Sequence, residues 1–340
     1  LHLCDRRQRQ MCIRDSGIPF CPTRCLYCSF TSYPIGVYKD KVDAYLDTME
    51  KEMEYVAASY TEKKLVSIYI GGGTPSSISA EQMDRLCNMI EKHFDLSQVR
   101  EYTIEAGRPD STTADKLQVM KAHGVGRISI NPQTMNGETL KLIGRAHTPE
   151  QAEEAFKRAR EAGFDNINMD LIVGLPGEDA EMVKRTLEKV KKLAPESLTV
   201  HTLAIKRAAH LKQEMDKYSF AGDVDEQLSL VGQAAEELGL APYYLYRQKN
   251  MAGNLENVGY ARHGLECLYN ILIMEERTDI IGIGAGSSSK LIRREGDSDP
   301  VTGEMITGTR IDRVENCKSV DDYIARIDEM IDRKKQAFAK

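Results

Sequence analysis

Tryptophan is absent from the 340 residues, and so is any excess of positive charge. Lys and Arg number 46 against 52 Asp and Glu, a formal charge of −6. That balance argues against nucleic acid as the main partner, because nucleic-acid-binding domains carry a basic face. No apolar run approaches the ~20 residues of a membrane-spanning helix. There is no internal repeat, no low-complexity stretch, and no G-x-G-x-x-G opening a helix after the first strand. Nor is there a second C-x-x-C to complete a four-thiol zinc site. What remains is 41% hydrophobic and 29% charged, the composition of a globular chain long enough to bury a core in one large α/β domain or two smaller ones.

Residues 1–16 (LHLCDRRQRQMCIRDS) are charged, follow neither a two-residue nor a 3.6-residue period, and lack the apolar stretch of a secretory signal. The run RRQRQMCIRDS resembles the translation of a transposase-adapter oligonucleotide. Residues 1–16 are therefore expected to be an assembly scar, with Cys4 and Cys12 without function and the natural chain continuing upstream of Gly17.

From Gly17 onward, strand and helix signals alternate. Residues 66–70 (VSIYI) are β-branched and end in the breaker GGGTP; 102–106, 127–130, 167–173 and 198–203 are further strand-like runs. Between them, 39–60, 80–94, 149–162 and 178–193 carry apolar residues at three- and four-residue steps, and Gly163 and Pro195 mark two helix stops. Such alternation predicts a parallel sheet with right-handed crossovers, and five or six units favour a full or partial barrel over an open doubly wound sheet. After about Arg247 the pattern changes to an Asn- and Gly-rich loop. The tail 319–340 is amphipathic and reads as one closing helix.

Cys21, Cys25 and Cys28 form C-x3-C-x2-C. A disulfide would leave one thiol over, and nothing else suggests an oxidising compartment. Zinc usually takes four protein ligands, and an iron–sulfur cluster normally four thiolates. With three thiolates one iron stays open to a substrate or cofactor. Cluster and zinc both remain readings of the spacing alone.

The motif, with Tyr27 just before its last Cys, resembles the signature of the radical S-adenosylmethionine superfamily. That resemblance implies a partial or full (β/α) barrel and a 4Fe–4S cluster on Cys21, Cys25 and Cys28. It also implies an open iron that chelates S-adenosylmethionine, and reductive cleavage of that cofactor to a 5′-deoxyadenosyl radical. Barrel chemistry sits at the carboxyl ends of the strands, and there the sequence places GGGTP, Glu105 in EAGRPD, Gln133 in NPQTM, Arg145 in LIGRAHT and Asp170 in NMDLIVGLPGE. Glycines there would let backbone N–H groups meet a carboxylate or adenosyl hydroxyls. Taken singly, each of these has a bland reading as a turn, a cap neighbour or a surface charge.

In this order the motifs are similar to the oxygen-independent coproporphyrinogen III oxidase (dehydrogenase) family and its haem-chaperone relatives, over nearly all of residues 17–290. IPFCPTRCLYCSFTSYPI, the segment from NPQTMN to GRAHT, and YRQKNMAGNLENVGYA look like its HemZ-type coproporphyrinogen dehydrogenases. The resemblance implies S-adenosylmethionine contacts at Tyr27, Gly72, Gly73, Thr74, Glu105, Gln133, Arg145 and Asp170. The turn Gly284-Ala285-Gly286-Ser287 resembles the family's C-terminal Gly-rich motif. Two positions depart. Asp15 stands where the family has a cofactor-holding Tyr six residues before the first cluster Cys, which implies a damaged first strand and weakened cofactor binding. Phe30 stands where oxidase members carry a further Cys, as in the chaperone-like members.

The expected reaction is oxygen-independent decarboxylation of two propionates of coproporphyrinogen III to vinyl groups, giving protoporphyrinogen IX in haem synthesis. The alternative on the same scaffold is a chaperone that delivers haem. A tetrapropionate needs cations, ideally Arg, and Lys206, Arg207, Arg247 and Lys249 are candidates. The partners expected are the porphyrinogen and a one-electron donor, with no nucleic acid and no membrane span, in the cytoplasm. The expected division is 1–16 as the scar, 17–247 as the partial barrel, and 248–340 as a smaller, mainly α, substrate-covering region.

Overall fold

The computed structural model describes residues 10–28, 32–61, 63–203, 222–246, 257–300 and 302–338, with side chains from Gly17 onward. β1 (Gln10–Ile18) runs parallel to β4 (Lys64–Gly72) on one side and to β11 (Asp279–Gly282) on the other. Next to β4 come β5 (Glu101–Gly107), β6 (Arg127–Gln133), β7 (Ile167–Val173) and β8 (Ser197–Thr202), all parallel. Antiparallel strands close both ends. β10 (Asn257–Ala261) and β9 (Ala241–Tyr246) follow β8; β12 (Ser288–Arg293) and β13 (Arg310–Glu315) follow β11. The result is an eleven-stranded open sheet in the order β13-β12-β11-β1-β4-β5-β6-β7-β8-β10-β9. A short parallel pair, β2 (Phe20–Cys21) and β3 (Tyr33–Pro34), stands apart.

Residues 10–16 lack a strand-like period, yet they sit in the middle of this sheet. Backbone N–H and C=O groups, which every non-proline residue carries, make both ladders, so pairing on two sides outweighs side-chain pattern. Among the described residues, the segment after residue 247 supplies three helices. It also adds strands to both edges of the parallel sheet, so it is continuous with the barrel.

The parallel strands alternate, unlike the all-apolar strands of a sheet covered on both faces by helices. Ile68, Ile70, Ile104, Ile128, Ile130, Ile167, Met169, Leu198 and Val200 point into one apolar core. The other face is polar. There Asn168 Nδ2 donates to Ser129 Oγ (2.9 Å) and Asp170 Oδ1 (2.6 Å), Thr199 Oγ1 donates to Asn168 Oδ1 (3.1 Å), and Arg127 Nη2 donates to Ser197 Oγ (3.1 Å). Glu101 caps the helix Leu268–Glu275 against this face, accepting from the amides of Leu268 (2.6 Å) and Tyr269 (3.1 Å). Tyr269 stacks on Tyr69 of β4 at 4.3 Å.

The helix Val42–Ser59 carries a fully buried carboxylate, Glu52. Lys334 Nζ (2.6 Å), Asn316 Nδ2 (2.7 Å), Tyr323 OH (2.5 Å) and the Gly284 amide (2.8 Å) all donate to it. Gly284, at φ 95, leaves no room for a side chain, because a Cβ there would stand 2.4 Å from Gly17 Cα. Tyr45 completes the contact: its hydroxyl donates to the Gly17 carbonyl and accepts from the Ala285 amide (2.8 Å). The tail forms two helices, Val320–Ala325 and Ile327–Phe338, where the sequence predicts one. Arg326, at φ −120 and ψ 27, breaks the path and lets Tyr323 and Lys334 both reach Glu52.

Lys334→Met leaves Glu52 buried without its cation and is expected to cost about 3 kcal/mol or more in urea unfolding. The double variant Lys334→Met/Glu52→Gln is expected to recover part of that loss. A single-variant cost below about 1 kcal/mol would show that the pair does not hold the tail to the barrel.

Candidate active site

β2 runs straight into the loop that carries the thiols. Cys25 is buried, Cys21 and Cys28 are half-buried, and none of the three is in a disulfide. The loop turns on itself where the Cys28 amide donates to the Cys25 carbonyl (3.2 Å). It is tied across the barrel mouth by Leu26 N to Ile143 O (2.9 Å) and Thr23 Oγ1 to Gly144 O (3.1 Å). Two sulfurs receive hydrogen bonds from strand-end residues. Thr74 Oγ1 lies 3.4 Å from Cys21 Sγ, and Arg108 Nη1 lies 3.7 Å from Cys25 Sγ. Arg108 also donates to Thr23 Oγ1 (3.1 Å) and is held by both oxygens of Asp110 at 2.9 Å. Burial pushes the Cys21 thiol up to about 11, the Thr74 bond opposing it, so a metal would have to displace that proton.

Among the described residues no three His, Cys, Asp or Glu side chains converge on a single metal ion. The Cys25 and Cys28 thiols lie near enough to Cys21 to act on it electrostatically. Three thiols on one short loop are a donor set that a 4Fe–4S cluster can take, each on a different iron.

The glycine run closes β4, and part of its backbone is already bonded. The amides of Gly73 and Thr74 already donate to the carbonyls of Ile18 and Phe20, each at 2.8 Å, so they do not face a ligand. A Cβ on Gly73 would stand 2.8 Å from the Phe20 carbonyl. These residues stitch the root of the thiol loop to the end of β4. Thr74 reaches Cys21 through its side chain.

Arg145 lies in the loop after the helix Gly137–Leu142 and joins two parts of the site. Its Nη2 donates to Tyr27 OH (3.0 Å) and its Nη1 to the Asn131 carbonyl (2.9 Å). Burial raises the Tyr27 hydroxyl well above its ordinary value, and the Arg145 guanidinium opposes that shift. Gln133, at the end of β6, is a buried non-glycine residue at φ 69, and its Oε1 has no hydrogen-bond partner. A strained backbone thus holds a buried acceptor that the protein itself leaves unpaired. Glu105 accepts from Tyr69 OH, and Gly71 packs against its carboxylate. Asp170 accepts from Asn168, with His201 Nε2 at 3.8 Å.

The structure thus joins Cys21 to Thr74 and Tyr27 to Arg145, and places Glu105, Gln133 and Asp170 along the same sheet end. Lys206, Arg207, Arg247, Lys249 and Phe30 lie outside the described residues. Arg108, Asn131 and His147 were not singled out from the sequence. Arg108 obeys the same strand-end rule as Glu105, so position could have found it. His147 is 2% exposed; burial and the Arg145 and Arg108 guanidiniums press it down to about 4.

A family model described as the radical SAM superfamily matches residues 16–190. The chain is 49% identical over 284 residues to the oxygen-independent coproporphyrinogen-III oxidase-like protein HemZ of Bacillus subtilis, covering 82% of this chain and 57% of that protein's length. It is 33% identical over 275 residues to the haem chaperone HemW of Lactococcus lactis, covering 81% and 68%. The fold resembles the coproporphyrinogen III oxidase HemN of Escherichia coli, with TM-score 0.73 and 22% identity, over 95% of this chain and 70% of that one. The partial barrel expected from the sequence is that fold.

Arg108→Leu removes the bond to Cys25 and the tie to Thr23, and is expected to weaken iron retention against a chelator about tenfold. Unchanged retention would reduce Arg108 to a helix-side ion pair. His147 predicts a pH effect on folding. Between about pH 6.5 and pH 4 the unfolded chain takes up a proton that the folded imidazole refuses, so stability falls as the pH falls through that window. In denaturant titrations His147→Gln is expected to flatten that dependence.

Proposed function

This chain belongs to the radical SAM superfamily, and from that footing we propose that it decarboxylates two propionates of coproporphyrinogen III without oxygen, giving protoporphyrinogen IX. Membership brings a 4Fe–4S cluster and S-adenosylmethionine as cofactors. When bound, they supply one-electron cleavage of the sulfonium and abstraction of a substrate hydrogen. The observation that carries the radical reading is the thiol loop closed over the polar face by Arg108, Arg145 and Thr74. The choice of substrate rests on the 49% likeness to the HemZ-like oxidase-like protein.

Each residue has a task in this reading. Cys21, Cys25 and Cys28 hold the cluster. Thr74 and Arg108 direct hydrogen bonds at sulfur and offset the thiolate charge. Gln133 offers its unpaired oxygen to the cofactor, and Arg145 positions Tyr27 against it. Glu105 and Asp170 present carboxylate oxygens to its hydroxyl and amino groups. The substrate would give a hydrogen atom from a propionate β-carbon to the cleaved cofactor, then one electron to a one-electron acceptor, and lose carbon dioxide to leave a vinyl group. Two such cycles complete the reaction, with the one-electron donor a separate partner. No helix among the described residues is long and apolar enough to cross a membrane.

Phe30 and the 33% likeness to a haem chaperone favour a second reading, in which the same scaffold binds haem and delivers it. Anaerobic incubation of the reconstituted protein with coproporphyrinogen III, S-adenosylmethionine and dithionite separates the two. The expected result is a mono- and then divinyl product by mass spectrometry, with loss of turnover in Cys25→Ala. Tight haem binding without any vinyl product would transfer the assignment to the chaperone.

A further inference from the structure

We propose that the chain binds a small multivalent anion, a carboxylate or phosphate compound, in a cavity behind the thiol loop that shares only Arg145 with the cofactor contacts. The cavity measures about 480 Å³ and lies between the loop that carries Arg145 and the helix Ala180–Leu193. Arg145, His147, Lys141, Arg185 and Lys189 line it, against one carboxylate, Glu150. None of the other cofactor candidates reaches it.

Two observations point to a ligand. The first is His147, which is 2% exposed and lines the cavity, and whose ring has no side-chain partner and only the Pro132 backbone beside one nitrogen. Arg145 adds an orphan: its Nε, buried, has no partner. Buried polar atoms are paired in all but a few cases, and each exception calls for a missing partner. The second is the charge. Neither Lys141 nor Arg185 has a carboxylate within ion-pair distance among the described residues, and Lys189 stands 4.0 Å from Glu150 and 3.8 Å from Glu153. Several cations around a partly closed space hold a positive potential that an anion relieves. A cavity of this size takes an ion of several heavy atoms, since one water occupies about 30 Å³ of liquid.

The site also touches the reaction. Arg145 reaches Tyr27 from one side and borders the cavity on the other. An anion held there adds negative charge beside the guanidinium that positions the thiol loop.

Calorimetric titration of the whole reconstituted protein with inorganic phosphate and, separately, with citrate tests the proposal. Saturable one-site binding of either probe is expected, together with a shift of the His147 ring resonances. Phosphate binding alone points to a phosphate ester, and citrate binding alone to a polycarboxylate. Lys141→Glu/Arg185→Glu changes only rim residues and is expected to weaken binding at least tenfold while iron content stays unchanged. Absence of saturable binding by both probes overturns the proposal. So does equal affinity in the rim variant, or binding that leaves His147 unshifted. These readouts do not depend on turnover, so their failure is distinguishable from failure of the decarboxylase reading.

Discussion

A single buried carboxylate decides how the first strand meets the last third of the chain. Glu52 collects an ammonium, an amide side chain, a phenol and a backbone N–H from four separate points of the sequence. An ion so deep is tolerated only when its charge is matched and its oxygens are fully bonded. Lys334 supplies the match, so the tail helix cannot leave without stranding Glu52. The same contact presses Gly284 onto Gly17, and Gly17 lies just ahead of Ile18 and Phe20. Those two residues in turn accept the Gly73 and Thr74 amides. The root of the thiol loop is thus set by a chain of contacts that begins at Glu52, on the helix that follows the loop.

The site follows from that placement. Once β2 is pinned to the end of β4, Cys21 comes under Thr74, and the loop crosses toward Arg108 and Arg145. The glycine run works differently from a ligand-binding nest. Its amides are spent on the neighbouring strand, and its lack of side chains serves a close backbone approach. The polar face below is assembled one side chain per two residues from β4 to β8. It is kept from collapsing by mutual hydrogen bonds among Ser129, Asn168, Asp170 and Thr199.

Much of this was legible residue by residue. The βα alternation predicted the sheet, the C-x3-C-x2-C spacing marked the thiol loop, and the strand-end rule pointed to Glu105, Gln133 and Asp170 as candidates. The alternation within RISIN, TIEAG and NMDL also marks a sheet polar on one face, a signal as plain as any motif. Other features were not legible. Residues 10–16 carry no strand pattern, because their place is decided by two neighbouring ladders. The break at Arg326 interrupts a continuous amphipathic pattern, because two side chains on either side must reach one carboxylate.

The sequence by itself determined which residue types could hold a cluster and where along the chain they lie, because a short loop brings neighbours together without help from the fold. It determined the strand ends too, since periodicity and breakers are local. Only the tertiary structure decided that the Gly73 and Thr74 amides face a strand, that Arg108 serves Cys25, and that His147 lies buried beside a basic cavity. Those facts depend on which distant segments share a wall. Backbone donors are identical at every residue, so what they bond to is settled by packing and not by the letters that carry them.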